Sequence, residues 1–409
     1  GKGYWEVNLK ALEAGGPYQL QIIGKENQIS IKDILIGDVW LCSGQSNMQW
    51  VVNNVTNAEV EKKNANYPQI RTLNIPRRME LSPKDTISTT WLVCSPETVG
   101  RFSGVAYFFA RKVYEETNIP IGIINSSWGG TIVETWTSLE AANTLPQKRL
   151  DRYNKNEKLF PPTEYLTRKN KEAKRNDYPS LVYNAMIHPL LSFSIKGVLW
   201  YQGENNVGNA EPYTDWLTCM IGDWRNRWNS ELPFYIIQLP NFDSINKKPL
   251  WAEMRDAQSK VLAVPGTHLI VTSDLGDPYD LHPRNKQEVG MRAALQALHY
   301  EYGYSDIVSE SPMFERMEIN GDKVIITFKN TGSSLEIRSR YGCLQGFAIA
   351  GEDKKFHWAL GELKDNRIVI WSPKVPNPVA VRYNWENNPD GNLYNKDGLP
   401  ACLFRTDNW

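Results

Sequence analysis

The sequence lacks an excess of charge of either sign and lacks any long apolar run. Its 409 residues include 46 Lys and Arg and 46 Asp and Glu, so the formal net charge is zero. This balance argues against a surface dedicated to nucleic acid or to anionic lipid. No stretch approaches the roughly 20 apolar residues that a membrane-spanning helix needs. We therefore expect no nucleic-acid partner and no membrane span.

Cysteine and histidine are also scarce, at five residues each. The cysteines are scattered and odd in number, and no Cys-x-x-Cys pair occurs, so the sequence indicates neither a zinc ribbon nor a disulfide framework. Buried free thiols are the favoured interpretation, and Cys343 with Cys402 is the one bridge worth considering. No His-x-His or His-x-x-x-His pair occurs, so a histidine-based metal site has no local support. We predict neither a metal nor a cofactor.

Large aromatic residues, in contrast, are frequent, with 15 Trp and 19 Tyr. Aromatic rings stack on sugar rings, but they also fill the cores of β-domains. The composition alone favours neither use.

The periodicity of the chain divides it into three segments. Residues 1–36 alternate like strands at 5–9, 18–23 and 29–34, and such short strands must complete a β-domain, built elsewhere in the chain or cut at Gly1. Residues 37–305 alternate apolar runs with helical patterns, which predicts a parallel sheet with helices on both faces. Residues 306–409 return to strands, which predicts an all-β, sandwich-like domain. The polar stretch 150–178 is expected to be a surface excursion that contains helix.

The predicted elements of the two larger segments are as follows. In 37–305, strands are expected at 39–41, 121–125, 198–201, 234–238 and 268–272, and helices at 106–117 and 285–300. In 306–409, strands are expected at 317–319, 323–328, 335–338, 347–350, 367–371 and 379–383.

A candidate nucleophile follows the first of these apolar runs. The run ends in Ser-Gly-Gln-Ser-Asn, residues 43–47. Open α/β sheets build their sites at the carboxyl edge of the strands, and there Ser46 would lie. A serine acts as a nucleophile only where a base and an oxyanion hole are also present.

The best candidate for the base is His282. Its loop follows the last predicted strand of the sheet and carries three carboxylates, Asp274, Asp277 and Asp280. Any of them, or a backbone carbonyl, could orient the imidazole.

Two further strand ends offer oxyanion donors. One ends in Gly129 and Gly130, where a backbone N–H can approach an oxygen closely. The other carries the side-chain amides of Gln202, Asn205 and Asn206. In a parallel sheet, all four segments open on the same edge.

Together the four segments resemble the blocks of the SGNH hydrolase superfamily, and specifically the sialate O-acetylesterase family within it. The matching segments are Gly-Gln-Ser-Asn-Met at 44–48, Asn-Ser-Ser-Trp-Gly-Gly-Thr at 125–131, Trp-Tyr-Gln-Gly-Glu-Asn at 200–205 and Asp-Leu-His-Pro at 280–283. The resemblance implies a flavodoxin-like α/β/α three-layer domain. It also implies a serine esterase that removes O-acetyl groups from sugars, 9-O-acetylated sialic acid above all, in the periplasm or outside the cell.

The resemblance assigns roles to individual residues. It implies Ser46, His282 and Asp280 as the catalytic residues. The oxyanion donors would be the N–H groups of Ser46 and Gly130 with Gln202 or Asn205, of which Gln202 is slightly preferred. In such an esterase we expect Glu204 and Glu134 to brace the site through hydrogen bonds.

Two different functions remain possible on the sequence alone. A glycoside hydrolase would use two carboxylates, for which Glu134, Glu204 and Asp223 are available. A non-catalytic carbohydrate-binding protein would use the β-domains and tryptophans. Acetylxylan or another polysaccharide is the rival substrate for an esterase, and nothing in the sequence sets the oligomeric state.

Overall fold

The computed structural model describes residues 7, 9–10, 12–146, 148–149, 163, 178–243 and 248–409. Of the strand predicted at 5–9, only Val7 and Leu9 are described, and neither lies in a strand, while the excursion predicted at 150–178 lies almost wholly outside the described residues. The first described element is a hairpin of β1 (Gly15–Ile23) and β2 (Gln28–Ile36). It forms a two-stranded sheet of its own rather than completing a larger β-domain of the described chain.

A seven-stranded sheet organises the middle of the chain. Its strands are β3 (Asp38–Gly44), β4 (Tyr67–Asn74), β5 (Trp91–Cys94), β6 (Ile121–Ser127), β7 (Gly197–Tyr201), β8 (Phe234–Ile237) and β9 (Thr267–Ile270). Their order is β5-β4-β6-β3-β7-β8-β9, and all neighbours are parallel except β4 and β5. The five predicted strands are confirmed, whereas β4 and β5 extend one edge beyond the prediction.

The strand order locates a natural binding edge. The strands β6-β3-β7-β8-β9 follow the order 2-1-3-4-5 of doubly wound sheets when numbered along the chain. In such sheets the connections run to opposite faces at the first and third strands, and a crevice opens at their carboxyl ends. Here that point lies between β3 and β7, directly after Gly44 and Tyr201.

Helices cover both faces of this sheet. The helices are α1 (Ser46–Gln49), α2 (Ala58–Asn64), α3 (Gly104–Thr117), α4 (Leu139–Ala142), α5 (Ala210–Trp228), α6 (Leu250–Lys260) and α7 (Lys286–Glu301). Trp40 of β3 pairs in register with Gly197 of β7, three residues before Trp200, so the two indoles point to opposite faces. Trp40 packs on Phe109 of α3, and Trp200 packs on Trp224 of α5.

The C-terminal part is entirely β. Its strands are β10 (Met313–Asn320), β11 (Lys323–Lys329), β12 (Leu335–Ile337), β13 (Phe347–Ala350), β14 (Phe356–Trp358), β15 (Leu360–Lys364), β16 (Arg367–Trp371), β17 (Ala380–Tyr383), β18 (Leu393–Asn395) and β19 (Phe404–Arg405). The sheets β10-β11-β16-β15 and β14-β13-β17-β19 are antiparallel and contribute to one apolar core, which includes Ile326, Ile370 and Ile349. A short pair, β12-β18, lies beside them.

The cysteines are free, and the considered bridge between Cys343 and Cys402 is wrong. Cys343 is exposed, whereas Cys402 is buried beside Gln238 and Ser259. None of the helices in the described ranges has the length and apolar composition needed to cross a bilayer.

Candidate active site

Ser46 and His282 meet at the carboxyl edge of the sheet. Strand β3 ends at Gly44, whose φ is +131° and whose added Cβ would lie 2.1 Å from the carbonyl oxygen of Tyr201. Only glycine fits there, and the sharp exit from the strand places Ser46 at the start of α1. His282, on the loop between β9 and α7, has its Nε2 2.9 Å from Ser46 Oγ. The predicted nucleophile and base are therefore in hydrogen-bond contact.

The environment of the His282 ring favours its neutral form. The Trp50 indole stacks on the imidazole, with ring centroids 4.8 Å apart and an interplanar angle of 9°. Burial lowers the pKa of His282, the nearby ammonium of Lys286 lowers it further, and Asp280 opposes both. A neutral imidazole is the form that accepts a proton from a serine.

Of the three candidate acids, Asp280 lies nearest to the imidazole. Its Oδ1 accepts the backbone N–H of His282 at 2.8 Å and stands 3.9 Å from His282 Nδ1. A separation of 3.9 Å is too long for a hydrogen bond, so Asp280 acts on the ring through its charge. Its direct bond is to the loop backbone.

The other two aspartates have different partners. Asp274 forms a bidentate ion pair with Arg292, at 2.7 and 2.8 Å, and accepts the hydroxyl of Tyr394 from the β-region at 3.2 Å. Asp277 accepts the N–H of Tyr279 at 2.8 Å. These bonds shape the two halves of the loop that presents His282.

Two glutamines that flank Ser46 hold the neighbouring loops. Gln49 Oε1 accepts the N–H of Gly129 at 2.9 Å, which ties the loop after β6 to α1. Gln45 Oε1 accepts the N–H of Gly203 at 3.2 Å, which ties the loop after β7 to the same turn. Gly129 faces the nucleophile so closely that an added Cβ would lie 3.1 Å from Ser46 Cβ.

Asn47 connects the nucleophile to the remaining parts of the site. Its amide donates to Glu204 Oε1 at 2.5 Å and to the carbonyl of Leu281, the residue before His282, at 3.1 Å. Its carbonyl accepts Lys286 Nζ at 2.5 Å. Every donor and acceptor direction except one lone pair is used, so the buried Asn47 joins α1, the turn after β7 and the histidine loop.

Lys286 and Glu204 form a pair bridged by Asn47. Burial lowers the pKa of Lys286 to about 7, against the attraction of Glu204 and Asp280. Burial likewise raises the pKa of Glu204, against its bond from Asn47 and the charge of Lys286. Each group stabilises the charged form of the other, although Lys286 is buried and Glu204 is only partly so.

The two candidate amide donors have contrasting surroundings. Gln202 is fully buried, and its Nε2 donates to Thr131 O at 3.1 Å and to Asn206 Oδ1 at 2.8 Å, while its Oε1 accepts Tyr213 Oη at 3.0 Å. Both of its N–H groups are therefore engaged inside the protein.

Asn205, by contrast, is exposed. Its Nδ2 donates to the carbonyl of Gly130 at 2.8 Å, which uses one of its two hydrogens. The bond joins the loops after β6 and β7 at the level of Ser46. Gly130 has a φ of +76°, which favours glycine and turns this peptide at the strand end.

The remaining carboxylates have structural partners. Glu134 is buried and accepts Asn206 Nδ2 at 2.9 Å, next to the Gln202 amide. Asp223 accepts Ser138 N at 2.9 Å and Arg227 Nε at 2.7 Å. Neither matches the accessible carboxylate pair of a glycosidase.

Three residues in contact with the candidate site were not predicted from the sequence as part of it. Asn47 and Trp50 stood inside the quoted nucleophile segment, and Lys286 opened the predicted helix after the histidine loop. Lysine is rarely buried, so a sequence pattern places Lys286 on the surface. Within the described ranges, no group of three or more His, Cys, Asp or Glu is arranged to hold a metal.

Comparisons with known proteins identify the family of the chain. Residues 36–299 match the model of the family described as "Carbohydrate esterase, sialic acid-specific acetylesterase". Human sialate O-acetylesterase is 32% identical over 360 residues, which cover 79% of this chain and 65% of the human protein. The mouse protein of the same name is 31% identical over 435 residues, which cover 94% of this chain and 80% of the mouse protein.

A solved structure extends the likeness to the whole chain. The crystal structure of a carbohydrate acetylesterase from Xanthomonas citri has a TM-score of 0.89 and 38% sequence identity, and the match covers 99% of this chain and 88% of that one. The match includes the C-terminal β-region as well as the sheet that carries Ser46. This chain belongs to the sialic acid-specific acetylesterase family of carbohydrate esterases.

Proposed function

We propose that the protein hydrolyses O-acetyl esters on carbohydrate hydroxyl groups through an acetyl-Ser46 intermediate. The observation that carries the proposal is the 2.9 Å contact between Ser46 Oγ and Nε2 of the neutral His282 at the sheet edge. Family membership supports acetylated carbohydrate as the substrate class.

The proposed reaction has two halves. His282 Nε2 accepts the Ser46 proton while Oγ attacks the acetyl carbonyl, and the imidazolium then protonates the departing sugar oxygen. In the second half, neutral His282 removes a proton from water, which attacks the acetyl-enzyme. The tetrahedral intermediate that results then collapses. His282 transfers its proton to Ser46 Oγ, and acetate is released.

The developing oxyanion requires donors aimed at one point. We assign the backbone N–H groups of Ser46 and Gly130 and the second Nδ2 hydrogen of Asn205 to this role. The full engagement of the buried Gln202 amide favours Asn205 over it. Asp280 stabilises the imidazolium across 3.9 Å and holds the His282 backbone, without bonding the ring.

The proposed fold is that of an SGNH hydrolase with a flavodoxin-like three-layer domain. The order of the parallel strands and the helices on both faces support it. The proposed division is an N-terminal β segment at 1–36, a catalytic domain at 37–305 and a C-terminal domain at 306–409. The separate apolar core of the last segment supports a β-sandwich-like domain.

We propose 9-O-acetylated sialic acid as the preferred substrate, with acetylxylan or another acetylated polysaccharide as the alternative. The match to sialate O-acetylesterases favours acetylated sialic acid. The match to a Xanthomonas citri carbohydrate acetylesterase is the reason to retain an acetylated polysaccharide as the alternative. A periplasmic or secreted location follows from the same resemblance, and fractionation of the producing cell would test it.

Active-site labelling tests the mechanism directly. The protein should react with a small organophosphate, and peptide mass spectrometry should place the adduct on Ser46. Ser46→Ala should not be labelled, and His282→Ala should be labelled far more slowly. Stoichiometric labelling at another residue, with ester hydrolysis retained in Ser46→Ala, would refute the assignment. Glycan binding with no labelling and no ester turnover would favour a non-catalytic binding protein.

A further inference from the structure

A row of side chains crosses the outer face of the sheet β14-β13-β17-β19. Ala348 of β13 pairs in register with Trp358 of β14 on one side and with Arg382 of β17 on the other. Directly opposed residues share a face, so the three side chains lie side by side. The adjacent pair, Ile349 and Val381, is fully buried in the apolar core. The Trp358 row therefore faces away from that core.

The small residue in the middle of the row leaves a hollow. A cavity of about 600 Å³ opens over Ala348, between the Trp358 indole and the Arg382 guanidinium. Known small-molecule sites span roughly 300–1,000 Å³. Trp358 is 61% exposed and Leu360 beside it is 56% exposed, although both are large apolar residues. An indole presented to solvent at the rim of a hollow is a stacking surface with no partner inside the described chain.

The opposite wall of the hollow is rigid. Arg382 forms a bidentate ion pair with Asp407, at 2.7 and 2.8 Å, and its guanidinium carbon lies 4.0 Å from the centroid of the Phe356 ring. Asp407 is completely buried, so the guanidinium is held in one position. A fixed planar group needs little ordering when a ligand binds.

The polar groups around the hollow are balanced in charge. Lys374 and Glu386 contribute one charge of each sign, and Arg382 pairs with Asp407, whose carboxylate also stands 3.9 Å from Arg405 Nη1. The lining thus combines an exposed indole with hydrogen-bond donors and acceptors but little net charge. This combination fits an uncharged polyhydroxylated ring, whose C–H face packs on an aromatic surface while its hydroxyls bond to the rim. A polyanion would require an excess of cations.

We propose that the hollow lined by Ala348, Trp358, Arg382, Lys374 and Glu386 is a second carbohydrate site that binds neutral sugar residues of the glycan. It is separate from the Ser46 site and performs no chemistry. Binding of sugar there is independent of the proposed esterase activity. The use of the site to retain a polymeric substrate rests on that activity.

Calorimetry with the full chain tests the binding. Xylohexaose and the neutral milk tetrasaccharide lacto-N-tetraose serve as probes, with free N-acetylneuraminic acid as the acidic comparison. We expect at least one neutral oligosaccharide to bind wild type, and Trp358→Ala to weaken that binding by roughly tenfold. Ala348→Leu, which fills the hollow and keeps the indole, should weaken it as much. Tyr341→Ala removes an aromatic residue that is 79% exposed outside the hollow and should leave binding unchanged.

The outcomes separate this proposal from the esterase proposal. Hydrolysis of 4-nitrophenyl acetate should be equal in wild type, Trp358→Ala and Ala348→Leu, because none of these changes touches the Ser46 site. On a polymeric acetylated glycan, the two variants should show a raised KM with unchanged kcat. Binding equal in wild type and both variants, or binding of N-acetylneuraminic acid alone, would overturn the second site. Melting curves that match wild type would show that each variant is folded.

Discussion

Separate substitutions of Asn205 and Gln202 test which side-chain amide binds the oxyanion. Both amides follow β7, and the geometry assigns them different work. Asn205 is exposed and has one N–H left to donate, whereas both N–H groups of Gln202 are bonded inside the protein. Catalysis should therefore depend on the amide of Asn205, and the stability of the fold should depend on the amide of Gln202.

The magnitudes follow from the bonds that each change removes. Asn205→Ala should lower kcat by roughly 10²–10³, or about 3 kcal/mol of barrier, the usual effect of losing one oxyanion donor. Its exposed bond to Gly130 should cost less than about 1 kcal/mol of folding free energy. Gln202→Met removes three buried side-chain bonds of about 1 kcal/mol each, which corresponds to a fall in Tm of about 5–10 °C.

The assay combines initial rates on 4-nitrophenyl acetate with thermal unfolding of the same preparations. A kcat that is nearly unchanged in Asn205→Ala, together with a Gln202→Met protein that melts like wild type but loses a hundredfold in kcat, would refute the assignment. Asn206→Leu provides a structural comparison, because its buried amide joins Gln202 to Glu134 and should affect Tm in the same way.

Three further predictions concern the proton-transfer pair. Because burial and Lys286 hold the pKa of His282 below its usual value, kcat/KM should fall with decreasing pH only below about 6.5, and a midpoint above 7 would contradict the assigned environment. In Lys286→Met the cation that disfavours imidazolium is gone, so this acidic limb should move to higher pH. An unchanged or lower midpoint would contradict the electrostatic effect of Lys286 on the imidazole. In Trp50→Leu, loss of the stacked indole should let water reach the imidazole, reduce kcat by about tenfold and also raise the midpoint, which pH–rate profiles would measure.

Five central strands of the sheet could be predicted because their residues are buried on both faces, and the two predicted helices match α3 and α7, whereas α5 and α6 were not predicted. Runs such as 121–124 and 198–201 consist of glycine, aliphatic and aromatic residues, and turn or polar residues follow them. Strands β4 and β5 at the sheet edge were missed, because their exposed and buried residues mix and β5 is only four residues long. The pairing of strands in the β-region also depends on long-range contacts that no local pattern contains.

The positions of Ser46 and His282 were predictable because each follows an apolar strand in a polar loop. The partners of their neighbours were not. Asp274 looked equal to Asp280 in sequence, yet it pairs with Arg292, which lies 18 residues further along the chain. The bridge from Lys286 through Asn47 to Glu204 joins three segments that meet only in the folded sheet. The sequence does not separate Gln202 from Asn205 as the oxyanion donor, because the difference between them is their burial, which only the folded chain shows.

The most direct test of the account measures acetate release by wild type and Ser46→Ala from 9-O-acetylated sialic acid and from acetylated xylan, side by side. We predict release from the acetylated sialic acid by wild type and none above background by Ser46→Ala. Release from xylan alone would keep the serine mechanism and overturn the substrate. Release undiminished in Ser46→Ala, or no release from either glycan by a folded wild-type protein, would contradict the central claim.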